Sequence, residues 1–336
     1  SFAVAGVWAP ILLVVLRLVQ GVAAGGEWGG AALFGIENSP DNRRGLWGSF
    51  TSMGIGLGTL LGAGVFAIVS ALFDNQLTPF AWRIPFFLGG VLVIVGLLAR
   101  LSMPTEEVVH EDTTMERKIP LVEAFKRSPR IILCGLGVSY GYNTIAYIGF
   151  TFFLSYLTGI GYGATESLLG QLAYSAVLFG SAPAFALLSD KIGRRWVMTF
   201  GGVVTAAFLY LYFPMVGVGS IALVVVAFGI TGLLTGITQG LIPAFMGEQF
   251  PARMRYSGMS ASYQIGAALG GGTASFVATG LLILSNQNPL PVALYGTFAM
   301  GVLVAGSLGL RETAHVSTDE INEVRGGRAE RGSPAD

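Results

Sequence analysis

The 336-residue chain is 53% hydrophobic and 11% charged, with 19 basic against 19 acidic side chains, which is too apolar for a soluble domain and marks a polytopic protein of the lipid bilayer. Zero net charge and the lack of a basic face in any apolar segment exclude nucleic-acid binding. A single cysteine, Cys134, excludes a disulfide framework or thiolate metal site, and the two histidines, His110 and His315, lie in polar connections where they cannot pair as haem ligands within a membrane.

The chain begins in apolar sequence at Ser1-Phe2, with no charged leader or cleavage site, and reads as a fragment. Apolar runs long enough to cross about 30 Å of hydrocarbon predict nine helices, near 10–36, 46–73, 82–102, 130–157, 166–189, 196–216, 219–247, 256–284 and 289–310. The first carries Arg17, Gln20 and Glu27 and leaves through Asn38-Ser39-Pro40 into Arg43-Arg44. At about 100° per residue, Gln20 and Glu27 share one face, with Arg17 roughly 60 to 80° round the same side. Gly21, Gly25 and Gly29 form a neighbouring stripe on which another backbone can approach closely.

All Lys and Arg except Arg17 and Arg83 fall in alternate connections: Arg43-Arg44, the segment from Arg100 to Arg130, Lys191-Arg194-Arg195, Arg253-Arg255 and the tail from Arg311. The positive-inside rule makes these cytoplasmic, with the C-terminus, in a cell's inner (plasma) membrane. Residues 104–128 read as a cytoplasmic linker between residues 1–103, the remainder of one helical half, and residues 129–313, a six-helix half. Within the linker Ile119 to Arg127 forms either a short surface helix, with Ile119, Leu121, Val122 and Phe125 apolar, or a plain solvated stretch. Residues 314–336, rich in Glu, Arg, Gly and Ser, predict a disordered tail.

An internal repeat organises the rest. Shifting the chain by 211 residues places Gly21, Gly25, Gly29, Glu37, Pro40 and Arg44 on Gly232, Gly236, Gly240, Glu248, Pro251 and Arg255 without a gap. The first and seventh helices are then equivalent members of two parallel repeats, as in transporters of two related halves. Three helices precede the second copy after the linker and none the first, so symmetry implies twelve helices in the intact protein, of which these are 4–12.

Ser189-Asp190-Lys191-Ile192-Gly193-Arg194-Arg195 resembles the second-half cytoplasmic loop motif of the major facilitator superfamily, and Arg17-Leu18-Val19-Gln20-Gly21 followed by Gly25-Gly26-Glu27 resembles its fourth-helix motif. Gly25 to Ala31, Trp82-Arg83-Ile84-Pro85-Phe86, and Arg255-Tyr256-Ser257-Gly258 with Tyr263-Gln264 resemble the metabolite:proton symporters within it, the wording being closest to the shikimate branch. That family includes transporters of shikimate, alpha-ketoglutarate, citrate and proline/betaine. The resemblance covers the chain to about Thr313 and implies the superfamily's all-α fold. It also implies symport of a small metabolite with protons, by a monomer with no cofactor beyond the proton gradient. The loop motif serves many cargoes, so it speaks to fold and leaves the cargo open.

At the repeat offset Arg17, Gln20 and Glu27 meet Phe228, Thr231 and Thr238, so the charges belong to one half. Glu27 is the only carboxylate deep in an apolar segment; a desolvated carboxyl facing a cavity can load and release protons, or it can lock a helix contact. Arg17, about 15 Å along the axis, suits an anionic cargo or a partner elsewhere better than a direct pair with Glu27. Arg83 beside Trp82 reads as an interfacial anchor. Tyr140, Asn143, Thr144 and Tyr147 share a helix face and are expected to line the substrate path. Thr238 and Gln239, with Gln171, Tyr174, Thr235, Tyr263 and Gln264, are weaker candidates that serve equally as interhelical glue. Glu37, Arg44, Asp190, Arg194, Arg195, Glu248 and Arg255 cluster at cytoplasmic helix ends and are expected to form a gate. The favoured function is import of a small polar metabolite, an organic acid anion, with protons. Zwitterion symport, uniport, or a non-transporting membrane protein or inert gene remnant remain as rivals, whereas no nucleophile-base pair or metal cluster points to an enzyme.

Overall fold

The computed structural model describes residues 6–73, 80–102, 120–317 and 320–321, and the regular elements among them are all helical. Helix α1 spans Trp8–Glu37, and after a 3-10 turn at Asp41–Arg43, α2 spans Arg44–Leu72. A 3-10 turn at Ala81–Arg83 leads into α3, Ile84–Ser102. Then come α4, Pro120–Arg127, and α5, Pro129–Tyr147, continued by a π-turn at Ile148–Phe152 into α6, Phe153–Gly159. The remainder are α7 at Ala164–Ile192, α8 at Arg194–Gly217, α9 at Ile221–Gly247, α10 at Ala252–Leu284 and α11 at Leu290–Gly309. Among the described residues nine stretches are long and apolar enough to cross a membrane, matching the nine predicted runs to within a few residues.

Local chemistry sets the breaks. Pro40 has φ −61° and ψ 144°, an extended corner that α1 cannot run through. Gly193 sits at φ 109°, a left-handed conformation that glycine adopts without strain, and it turns the chain between α7 and α8 in one residue. Ser181 and Ala182 of α7 lie against Gly236 and Gly240 of α9, and the Tyr174 backbone lies against Gly232. A Cβ at Gly240 would stand 2.8 Å from the Ala182 carbonyl carbon. The stripe predicted to admit a second backbone therefore does so in its second copy.

Helix α5 is wedged between α10 and α11 by the same device, with Gly270 against the Tyr140 carbonyl and Gly141 against the Ala299 carbonyl. Aromatic rings fill the far end of this bundle: Phe153 stacks on Tyr212 with centroids 3.6 Å apart, and Phe213 and Phe228 meet it edge-on. The first three helices join this bundle through two seams, α2 on α7 and α9, and α1 on α10. Most of α3, and α1 from Ile11 to Gln20, stay exposed.

Two expectations are modified. In α4, Glu123 is buried between Arg127, 3.0 Å away, and Arg253, while Leu121 and Phe125 are exposed; the helix packs on α10 through Ala124 and Glu123. The tail is also shorter than predicted, because Ala314 is buried and residues 314–317 are held by hydrogen bonds, so the expected disorder does not begin at 314. Residues 103–119 and 322–336 lie outside the described residues.

Candidate functional site

At the end of the bundle that carries residues 311–317, the tail-side end, charged groups from both sets of helices meet. Arg194, on the first turn of α8, is fully buried and bridges two carboxylates of its own set. Its Nη2 lies 2.9 Å from Asp190 Oδ1, and its Nε and Nη2 donate to Glu248 at 2.6 and 2.8 Å. Ser189 Oγ takes a further contact from its Nη1 at 3.4 Å. Ion and hydrogen-bond partners on every side are the condition under which a buried charge is tolerable.

This acidic pad receives two features of the opposite set. The Asp190 carboxylate accepts the backbone N–H of Gly45 at 2.8 Å and of Leu46 at 3.1 Å, so it caps the N-terminus of α2, where the helix presents orphan donors and the positive end of its dipole. Arg44, only 2% exposed, places Nε 3.3 Å from Glu248 Oε1. On the other seam Arg255 Nη1 lies 3.4 Å from Glu37 Oε1. The repeat equates Glu37 with Glu248 and Arg44 with Arg255, so each copy's carboxylate takes the other copy's guanidinium. A cavity of about 430 Å³ opens beside the α2–α7 contact, lined by Asn42, Arg43, Leu46, Leu187, Asp190 and Lys191.

The seams continue inward from these bonds. On one, Ser52 Oγ donates to the Gln239 carbonyl at 2.8 Å and Thr59 Oγ1 to Ser175 Oγ at 3.0 Å. On the other, Tyr256 OH donates to the Gly26 carbonyl and Gln264 Nε2 to the Gly25 carbonyl, both at 3.0 Å, and Trp28 stacks on Tyr263 with centroids 3.7 Å apart. Gly29 faces Ser260, so the first copy of the glycine stripe serves an inter-set seam where the second serves a scaffold contact. Thr59 is about 22 Å along α2 from Arg44, so the closed seam reaches past the bilayer's middle.

Of the residues expected at a gate, Glu37, Arg44, Asp190, Arg194, Glu248 and Arg255 are brought together. Arg195 is not: its guanidinium turns toward the Trp196 ring, 6.0 Å from the centroid. On α1, Arg17 Nη1 donates to Gln20 Oε1 at 3.1 Å on an exposed face, and Glu27 is exposed beside Trp28. Arg83 lies over the Trp82 ring at 4.4 Å, as an interfacial anchor would.

The expected substrate face of α5 lies against α10 and α11. Thr144 Oγ1 donates to the Tyr140 carbonyl at 2.7 Å and packs on Gly270, Tyr140 reaches Tyr295 of α11, and the Tyr147 ring lies on Gly271. Glycines on α10 draw its backbone onto this stripe, where Thr144 is buried, Tyr140 half-buried and Tyr147 47% exposed. Asn143 is buried, hydrogen-bonded to Ser139 and facing Tyr263. Tyr142, absent from that expectation, is buried with Tyr174 and Tyr263 as neighbours. Thr238 donates its hydroxyl to the Thr235 carbonyl and turns its methyl to Gly201 of α8. Gln239 is buried, its Nε2 without a partner, as are both amide atoms of Gln171. Nothing in the sequence singles out Tyr142 or Trp28, because aromatic residues in apolar helices fit packing equally well.

The Major Facilitator Superfamily model matches residues 1–181 and 162–329. An inner membrane metabolite transport protein of Escherichia coli is 34% identical over 328 residues, covering 94% of this chain and 74% of that protein. The shikimate transporter of the same organism is 34% identical over 330 residues, covering 95% and 73%. The proline/betaine transporter of Salmonella typhimurium is 28% identical over 328 residues, covering 94% and 65%.

Proposed function

Because the chain belongs to the major facilitator superfamily, and its relatives are membrane transporters of metabolites, we propose that it imports a small polar metabolite, an organic acid anion, together with protons by alternating access between two sets of helices. The observation that carries this reading is the exchange of partners at the tail-side end, Glu37 with Arg255 and Arg44 with Glu248. Such a contact has two stable conditions. When the sets part, Asp190 and Glu248 each keep Arg194, so neither is left buried and alone; the charged contacts given up are Arg44 with Glu248, Arg255 with Glu37, and Asp190 with the α2 N-terminus. Of these, the carboxylate at the helix N-terminus contributes up to about 2 kcal/mol, and the whole is a two-state contact of the kind a transport cycle needs.

The arrangement described has the tail-side end closed. With that end cytoplasmic, as its Lys and Arg content favours, this is the condition that receives cargo from outside. Arg17 with Gln20 supplies a cation for the cargo's carboxylate, and Glu27, next to Trp28 of the Trp28–Tyr263 contact, is the proton carrier. The organic acid is favoured over a zwitterion by the 34% identity to the shikimate transporter against 28% to the proline/betaine transporter. Uptake into vesicles driven by a pH jump tests the reading: it is expected to accelerate accumulation of an organic acid anion and leave betaine unchanged. Accumulation that ignores the pH step would refute proton symport.

A further inference from the structure

Beyond α11, residues 311–317 stay against the helices. Gln249 clamps the Arg311 backbone, donating from Nε2 to its carbonyl at 2.9 Å and accepting its N–H at 3.3 Å. The Glu312 carboxylate then takes four backbone N–H groups: Arg194 at 2.8 Å, Arg195 at 2.9 Å, Thr313 at 3.0 Å and Ala314 at 3.1 Å. Two of these are orphan donors of the first turn of α8, the turn that carries the bridging guanidinium. Thr313 Oγ1 donates to Glu248 Oε2, so the same segment touches the second carboxylate of the pad. Three residues on, the Val316 carbonyl accepts a hydrogen bond from Arg44, which belongs to the opposite set.

We propose that Glu312 is a positioning residue of the gate and that residues 311–317 form a strap docked across both sets of helices only while the tail-side end is closed. Arg194 reaches Asp190 and Glu248 at once only if the start of α8 is held in place, and Glu312 holds it from outside the helix. Arg44 is shared between Glu248 and the strap, so its withdrawal releases both; conversely, loosening the strap removes two holds on the pad and one on Arg44. The inference rests on the gate reading above.

The test uses the full chain in its membrane, with Cys134→Ser and a reporter, Ser52→Cys, which is buried in the closed seam and becomes reachable by maleimide when the seam opens. Glu312→Gln is expected to raise the labelling rate at least about fivefold, and Glu312→Asp to restore much of the slow rate. A purely structural cap would lower the amount of folded protein and leave the rate per folded molecule unchanged. An unchanged rate in Glu312→Gln, with Asp190→Asn raising it, overturns the strap and spares the gate. If Asp190→Asn also leaves it unchanged, both fall together. Should Glu312→Gln fail to reach the membrane, Thr313→Val serves, since it removes only the hydroxyl on Glu248, and a wild-type rate there overturns the proposal.

Discussion

One glycine pattern occurs twice, and alanine at equivalent positions is expected to give three different outcomes. At Gly29 a Cβ would fall within contact of Ser260 Oγ and 3.3 Å from both Ser260 Cβ and a Tyr256 ring carbon. The Ser260 hydroxyl can rotate away, so the cost falls at the low end of overpacking, about 1 kcal/mol, and it is incurred only while α1 and α10 are closed, so the closed population should fall about fivefold relative to the open one. At Gly240 the Cβ would meet the backbone of Ala182, 2.8 Å from its carbonyl carbon and 3.0 Å from its Cα. That contact lies within one set and persists in both conditions, so Gly240→Ala should lower the amount of folded protein. Nothing stands within 4 Å at Gly21, so Gly21→Ala should be silent. Maleimide labelling of Ser52→Cys in the Cys134→Ser background, read beside membrane abundance, separates the three. If Gly29→Ala and Gly240→Ala lost protein alike with unchanged labelling, the assignment of one stripe to motion and the other to scaffold would be wrong.

Asp190→Asn keeps an acceptor for one N–H of α2 but removes the charge facing the helix end, so flux should fall far more than substrate affinity; an equal loss of both would refute a gating role. Glu27→Gln should abolish active accumulation while leaving exchange at equal concentrations intact, and pH-dependent accumulation of wild-type size in that variant would place the proton elsewhere. Arg17→Lys keeps the charge without the planar fork that grips a carboxylate, so affinity should drop about tenfold with coupling intact. Loss of coupling there instead would tie Arg17 to the proton.

The spans were legible because the bilayer imposes a length, and the charged helix ends because Arg44, Asp190, Arg194 and Glu248 have no reason to sit in apolar surroundings unless paired. The repeat showed which residues are equivalent, but equivalence does not reveal that partners are exchanged between copies; only the placement of α2 on α7 and α1 on α10 does. Glu312 escaped notice because it follows the last span in a polar stretch, where a carboxylate carries no local signal. The neighbours of the α5 face are hidden from the sequence for a related reason. Polar and small residues surround that helix on several sides, and which side meets α10 depends on Gly266, Gly270 and Gly271 far along the chain.

The exchange of partners at the tail-side end has the geometry of an isologous interface, in which residue i meets j and j meets i, as in a two-fold homodimer. Here that interface is written twice into one chain, and the two copies are free to differ. Glu37 is 43% exposed and meets Arg255 alone among its described ion pairs, whereas Glu248 is 1% exposed and shared by Arg44 and Arg194. Water competes for the first contact and is shut out of the second. Under the alternating-access proposal the two sets are therefore expected to part as a directional peel, beginning where α1 meets α10 and ending at Arg44.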